Sequence, residues 1–136
     1  MSAGKEREYW IGRSEFYLGE DNILYETIVG DIDEKYAIAA RELTLKLMGM
    51  IEGKAKVLVD LNHVGKPSAE ARRIGREMFE NEKTEMIALF GLHPVARVIA
   101  SFLMGVTRKK NMRFFKSKEE ALAWLQEGNK NDCSKI

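Results

Sequence analysis

A second cysteine is missing: Cys133 is the one cysteine among 136 residues. That excludes an internal disulfide framework and a cysteine-built zinc site, and it fits a reducing compartment, so a cytoplasmic location is expected. No apolar run reaches the ~18 residues of a membrane-spanning helix. Met1 to Glu8 is polar and charged and lacks the apolar core of a secretory signal, so the chain is expected not to be transmembrane. Neither sign of charge dominates, because 22 Lys and Arg face 21 Asp and Glu and leave a net charge of +1. There is then no global attraction toward nucleic acid or anionic lipid, and a nucleic-acid partner is not expected. Catalytic signatures are also absent: the two histidines show no H-E-x-x-H spacing, and no G-x-S-x-G elbow or G-x-G-x-x-G loop occurs. Gly65-Lys66 falls short of a phosphate-binding loop, since G-x-x-x-x-G-K-[ST] requires glycine where Asp60 stands and Ser or Thr where Pro67 stands. No cofactor and no metal site are expected.

What is present is the material of one compact domain. The length suits a single core, and 45 % hydrophobic residues are enough to fill it. Residues 1–127 are expected to form that domain, with a polar, frayed tail over 128–136. Tyr9 to Leu18 and Ile23 to Val29, separated by the turn signal Gly19-Glu20-Asp21-Asn22, read as two antiparallel strands. Asp33 is placed to cap a helix on which Tyr36, Ala40, Leu43, Leu47 and Met50 recur at intervals of three or four, with Gly53 as its stop. The runs Lys56 to Leu61 and Met86 to Phe90 are almost continuously apolar, as parallel strands covered on both faces are. Between them, Ala69 to Glu80 places Ala71, Ile74, Gly75 and Met78 on one face of an amphipathic helix. Pro94 suits the first turn of a third helix running to about Met104, Arg113 to Phe115 a last strand, and Ser117 with Glu120 a capping box for a fourth helix carrying Ala121, Leu122, Trp124 and Leu125. The predicted class is α/β: a single open, mostly parallel sheet with an antiparallel N-terminal strand, in the order β-β-α-β-α-β-α-β-α.

This order resembles the STAS-like (anti-sigma-factor-antagonist-like) family, with Ile28 to Asp33 before the first helix, Val57 to Leu61 before a polar segment, and Phe115 through Trp124-Leu125 at the end. Within that family the sequence is similar to the STAS/SEC14-like branch, over roughly residues 23–126. The resemblance implies a helix-covered sheet used by regulators to bind protein partners and, in some relatives, nucleotides or lipids. It also implies that a serine or threonine opening the second helix is a phosphorylation site. Ser68 holds that place, although the Asp-Ser-Ser/Thr-Gly pattern of those regulators is replaced by Lys66-Pro67-Ser68-Ala69.

The segment Asn62 to Ser68 is read as a loop at the carboxyl end of a parallel strand, facing a second loop at Gly91 to Pro94, where open α/β sheets place ligands. Asn62, His63, Lys66, Ser68, Arg72, His93 and Arg97 are the candidate binding residues. Free N–H groups at the start of the second helix, beside Lys66 and Arg72, suit an anion, but Ser68 serves equally as a plain N-cap. His63 and His93, with Asp60, supply residue types for proton transfer if the loops converge, and two water-facing histidines are the ordinary alternative. The third helix is apolar around most of its circumference. Val95, Val98, Ile99, Phe102 and Leu103 are therefore either buried between neighbours or an interface for a second copy, a partner protein or an acyl chain. Arg108-Lys109-Lys110, with Arg113 and Lys116, form a basic cluster that is otherwise a solvated loop.

Three functions follow as expectations. The first is a non-catalytic regulatory module, a homodimer engaging a protein partner through the segment and helix after Lys56 to Leu61. The second is a carrier or sensor of a lipid or other small amphiphile. The third is a small enzyme using His63 and His93.

Overall fold

A computed structural model describes residues 8–106 and 111–134, with side chains described up to Ser101 in the third helix and up to Glu127 in the last. Arg108 to Lys110 lie outside the described residues, as do the side chains of Phe102, Leu103 and Cys133.

Six strands form one sheet in sequential order: β1 (Glu8–Ile11), β2 (Ser14–Leu18), β3 (Ile23–Ile32), β4 (Ala55–Pro67), β5 (Thr84–Phe90) and β6 (Met112–Phe115). β1, β2 and β3 pair antiparallel in turn, and β3 to β6 are parallel to one another. The expected α/β class and mostly parallel sheet are therefore present. The N-terminal stretch differs in that Tyr9 to Leu18 is a hairpin and not one strand. Gly12, at φ +59°, lets the chain reverse in two residues so that Ile11 pairs with Ser14.

Four helices follow in chain order: α1 (Glu34–Met48), α2 (Ala69–Phe79), α3 (Pro94–Val106) and α4 (Lys118–Ser134). Asp33 caps α1 by accepting from Tyr36 N at 2.8 Å, and Ser117 caps α4 by accepting from Glu120 N at 3.2 Å, as the sequence predicts. The stop of α1 comes earlier than Gly53, at Gly49. Gly53, at φ +85°, turns the chain into β4 instead. The backbone of α4 stays helical past Gly128, to Ser134.

Sequential strand order has a consequence for layering. Each right-handed crossover from β3 to β6 moves one strand in the same direction, so α1, α2 and α3 all land on one face. Their apolar residues Ala40, Leu47, Met78, Phe79, Ala96 and Ala100 share one core with Leu24, Ile28, Val57, Val59, Ile87 and Leu89. Among the described residues the opposite face is covered by α4, through Ala121 and Leu125 on Leu58, Met86, Ala88 and Phe90. Lys56, buried on that side, donates from Nζ to Leu125 O at 2.6 Å. Burial of the Leu, Ile, Val, Met and Phe side chains among these, each stabilising by roughly 1.5–3 kcal/mol, fixes both layers.

Candidate functional site

The segment Asn62 to Pro67 is not a loop. It continues β4, pairing His63 with Val29, Gly30 with Val64 and Pro67 with Ile32, across two register irregularities in the β3–β4 pair. Gly30 and Gly65, which look like strand breakers, are what allow this. Gly30 takes φ +89°, and at Gly65 an added Cβ would lie 2.8 Å from Asp31 N and 2.9 Å from Gly30 C, so no larger residue fits. Asp31 Oδ1 accepts from Lys66 N at 2.8 Å, and Ser68 N donates to Ile32 O at 2.9 Å. Lys66, Pro67 and the start of α2 are thereby held rigidly on the sheet.

Ser68 is the N-cap of α2, its hydroxyl accepting from Ala71 N at 3.0 Å. Asn62 ties β4 to the β5–α3 turn: it donates to Asp60 Oδ1 at 3.0 Å through Nδ2 and accepts from Leu92 N at 3.0 Å through Oδ1. The two strand ends do meet, as expected, with Gly91 against Leu61 and Asn62. The histidines form no working pair with it. His63 is an exposed strand residue, and His93 Nδ1 accepts from Val95 N at 3.0 Å at the start of α3. Among the described residues no group of three His, Cys, Asp or Glu is placed to hold a metal ion. Arg97 is exposed, with its guanidinium 6.0 Å from the Phe114 ring centroid. The guanidinium of Arg113 lies 5.7 Å from the ring centroids of both Phe115 and Trp124, which pack on each other at 5.6 Å.

Five of the candidate residues do converge. Lys66, Arg72, Val95, Val98 and Ile99, together with Pro67 and Pro94, line an open groove of about 570 Å³ between α2 and α3. The groove exists because α1 packs closely on α2 whereas α2 and α3 touch only slightly. Among the described residues the third helix is thus not covered on both sides. Ala96 and Ala100 are buried, Val95 and Ile99 half-buried, and Val98 is 67 % exposed.

Pro67, Arg72 and Ile99 also belong to a second, deeper space. This cavity, of about 110 Å³, lies between the sheet and the inner faces of α1 and α2, walled by Ile28, Ala40, Val59, Leu61, Ile74 and Met78. The volume is several times the roughly 10–15 Å³ that one water requires on this measure. Gly75 in α2 leaves part of the space open, since an added Cβ there meets nothing within 4 Å.

Besides Arg72, two polar residues line the cavity, Glu26 and Tyr36. Glu26 is 3 % exposed, and burial pushes its pKa up to about 7, opposed by the hydrogen bond in which Thr44 Oγ1 donates to Glu26 Oε2 at 3.0 Å. Tyr36 Oη is buried, with the Ser14 hydroxyl near it, and makes no hydrogen bond of good geometry among the described residues. Burial raises its pKa to about 12; the adjacent Ser14 hydroxyl opposes the shift and the Glu26 charge adds to it. Neither residue stood out in the sequence as part of a site, although the alternation Leu24-Glu26-Ile28 places Glu26 on the core face.

The opposite face holds a polar hollow of about 320 Å³ lined by Glu15, Tyr17, Tyr25, Asp60 and Lys118. Glu15 rises to about 7 there, first through a hydrogen bond with Glu8 and then through burial. Several of its groups are already satisfied internally: Tyr25 donates to Asp21 Oδ2 at 2.6 Å, and Asp60 accepts from Asn62.

The comparisons agree with the architecture. The family described as "Domain of unknown function (DUF7793)" matches residues 16–129. The chain belongs to that family. Among curated proteins, none matches it. A solved structure similar to it is an uncharacterized protein of the DUF3478 family from Shewanella loihica PV-4, described as having a SpoIIAA-like fold. Its TM-score is 0.63 at 17 % identity, over 82 % of this chain and 91 % of that one. The fold of this DUF7793 member is therefore STAS-like, as the sequence resemblance implies. Among the described residues no helix is long and apolar enough to cross a membrane.

Proposed function

We propose that the chain is a non-catalytic binding module whose receptor is the groove between α2 and α3 together with the cavity beneath it, and that its ligand is a small amphiphile. The observation that carries this reading is adjacency: Pro67, Arg72 and Ile99 line both spaces, so a cationic rim borders a largely apolar interior. A concave, apolar pocket with a few placed polar groups is the usual form of a small-molecule site. Lys66 and Arg72 at the rim suit a carboxylate or phosphate head, and the interior suits an acyl or aromatic body.

Catalysis lacks a comparable basis. The candidate proton-transfer residue His93 is engaged in starting α3, and His63 belongs to neither the groove nor the cavity.

A second reading, partner-protein binding at the same groove, is favoured by the exposure of Val98, which lines it. A homodimer through α3 and phosphorylation at Ser68 belong to this reading. Calorimetric titration with sodium decanoate separates the two. The amphiphile reading predicts saturable binding that Gly75→Leu, which fills the cavity, abolishes while the fold persists. No binding to the wild type, or equal binding to the variant, defeats it.

A further inference from the structure

On the α4 side the sheet is covered unevenly. α4 packs over β4, β5 and β6 and meets β3 at Ile23 and Tyr25, whereas on the same face Trp10 of β1 is 59 % exposed and Glu15 and Tyr17 of β2 are half-buried. Cross-strand partners share a face, so two rows of side chains cross this surface: Glu8, Tyr17, Tyr25 and Leu58, and beside them Trp10, Glu15, Thr27 and Asp60. Tyr17 and Tyr25, with ring centroids 5.8 Å apart, form a ridge between two hollows. One is the polar hollow at Glu15, Asp60 and Lys118; the other, also of about 320 Å³, lies at Glu20 and Asp21.

The charge of this surface is one-sided. Glu15 and Asp60 lie on one side of the ridge, Glu20 and Asp21 on the other, and Glu8 beside Glu15, while the ammonium of Lys118 is the cation lining the hollows among the described residues. The hydrogen bonds that Asp21 accepts from Tyr25 and Asp60 from Asn62 leave both carboxylates charged. Lys118 shows how a cation is held here: its Nζ lies 5.6 Å from the Tyr25 ring centroid, and its charge favours the ionised form of Glu15. We propose that this face docks an extended, basic segment of a partner protein, with cationic side chains at positions i and i+4 in the two hollows and an apolar side chain at i+2 on the ridge of Tyr17 and Tyr25. The spacing follows from the strand itself. From Glu15 to Gly19 is four residues, about 13 Å, and an extended segment turns its residues i, i+2 and i+4 to one side over the same length. Both hollows are shallow and open, which suits side chains delivered by a larger partner better than enclosure of a small molecule. Trp and Tyr are also the residues on which protein interfaces concentrate their binding energy. The groove between α2 and α3 lies on the other side of the sheet, so this surface stands apart from the amphiphile reading.

The test is an amide NMR titration of the whole chain at pH 8 and low salt, where Glu15, with its pKa raised to about 7, is ionised. The probes are acetyl-Arg-Thr-Val-Thr-Arg-amide and acetyl-Arg-Thr-Val-Arg-Thr-amide, which carry the same charge but differ in the side to which the second Arg turns. The first is expected to bind about fivefold more tightly, the worth of one partly exposed cation contact, with shifts at Glu15, Tyr17, Glu20 and Tyr25. Glu15→Gln and Glu20→Gln each remove a charge from one hollow and are expected to bring that ratio toward one. Glu20 is exposed in a turn, so its variant keeps the comparison available if Glu15→Gln does not fold. Equal affinities for the two peptides, shifts elsewhere on the chain, or no binding overturn the proposal. Spermine binding as tightly as the first peptide overturns it in favour of a small polycation, and self-association that the variants abolish overturns it in favour of a second copy. None of these outcomes bears on the amphiphile reading, whose probe is an anion.

Discussion

Thr44 Oγ1 donates to Glu26 Oε2 at 3.0 Å inside the layer between α1 and the sheet, where both side chains are withdrawn from water. One neutral donor does not compensate a buried carboxylate, which is why burial prevails and the proton is held up to about pH 7.

A pH dependence of stability follows. Because Glu26 binds its proton more tightly folded than unfolded, its contribution is full below about pH 4.5 and is lost as pH rises through about 7. The difference is on the order of 3 kcal/mol. Glu15 shifts in the same sense, so the comparison is between urea unfolding of the wild type and of Glu26→Gln at pH 5 and pH 8. The variant should lose much less stability between the two; an identical loss would show that Glu26 does not hold its proton.

Gly65 and Gly75 should respond oppositely to alanine. At Gly65 the new Cβ meets the backbone of Gly30 and Asp31, and a loss of about 2 kcal/mol or more is expected. At Gly75 it enters open space within a helix, and a gain of roughly 0.5–1 kcal/mol is expected. Thermal unfolding of the two variants is sufficient to check the signs.

Removing the cap acceptor with Ser68→Ala should cost ~1 kcal/mol, with no change in the position of β4, since Ser68 N still donates to Ile32 O. His63→Ala, at an exposed strand position, should stay within about 0.5 kcal/mol of the wild type. Denaturant midpoints measured at constant m-value distinguish these two outcomes.

Reversing the rim charge should weaken anionic ligands selectively. Lys66→Glu is expected to reduce decanoate affinity by about tenfold at low salt and by less as salt screens the rim. An uncharged decanol probe should be almost indifferent to the same change, which paired titrations would show.

Much of the fold is legible in the sequence because its period signals are strong. The apolar runs of β4 and β5, the amphipathic face of α2 and the caps Asp33, Ser68 and Ser117 each act locally. The extension of β4 was not legible, because Gly30, Gly65 and Pro67 read as breakers until the two glycines are placed side by side in space. The rim residues Lys66, Arg72, Val95, Val98 and Ile99 were found by position, whereas the cavity was not. Glu26, Thr44 and Tyr36 come from different elements, and one acidic residue in an alternating strand does not announce whether its face is covered.

The most direct test is an amide NMR titration of the protein with sodium decanoate. Saturable shifts should concentrate at Ile32, Ala71, Arg72, Gly75 and Ile99, around the shared wall of groove and cavity, and vanish in Gly75→Leu. Absence of shifts, or shifts confined to the α4 face at Tyr17, Tyr25 and Lys118, would contradict the assignment of this space as the receptor.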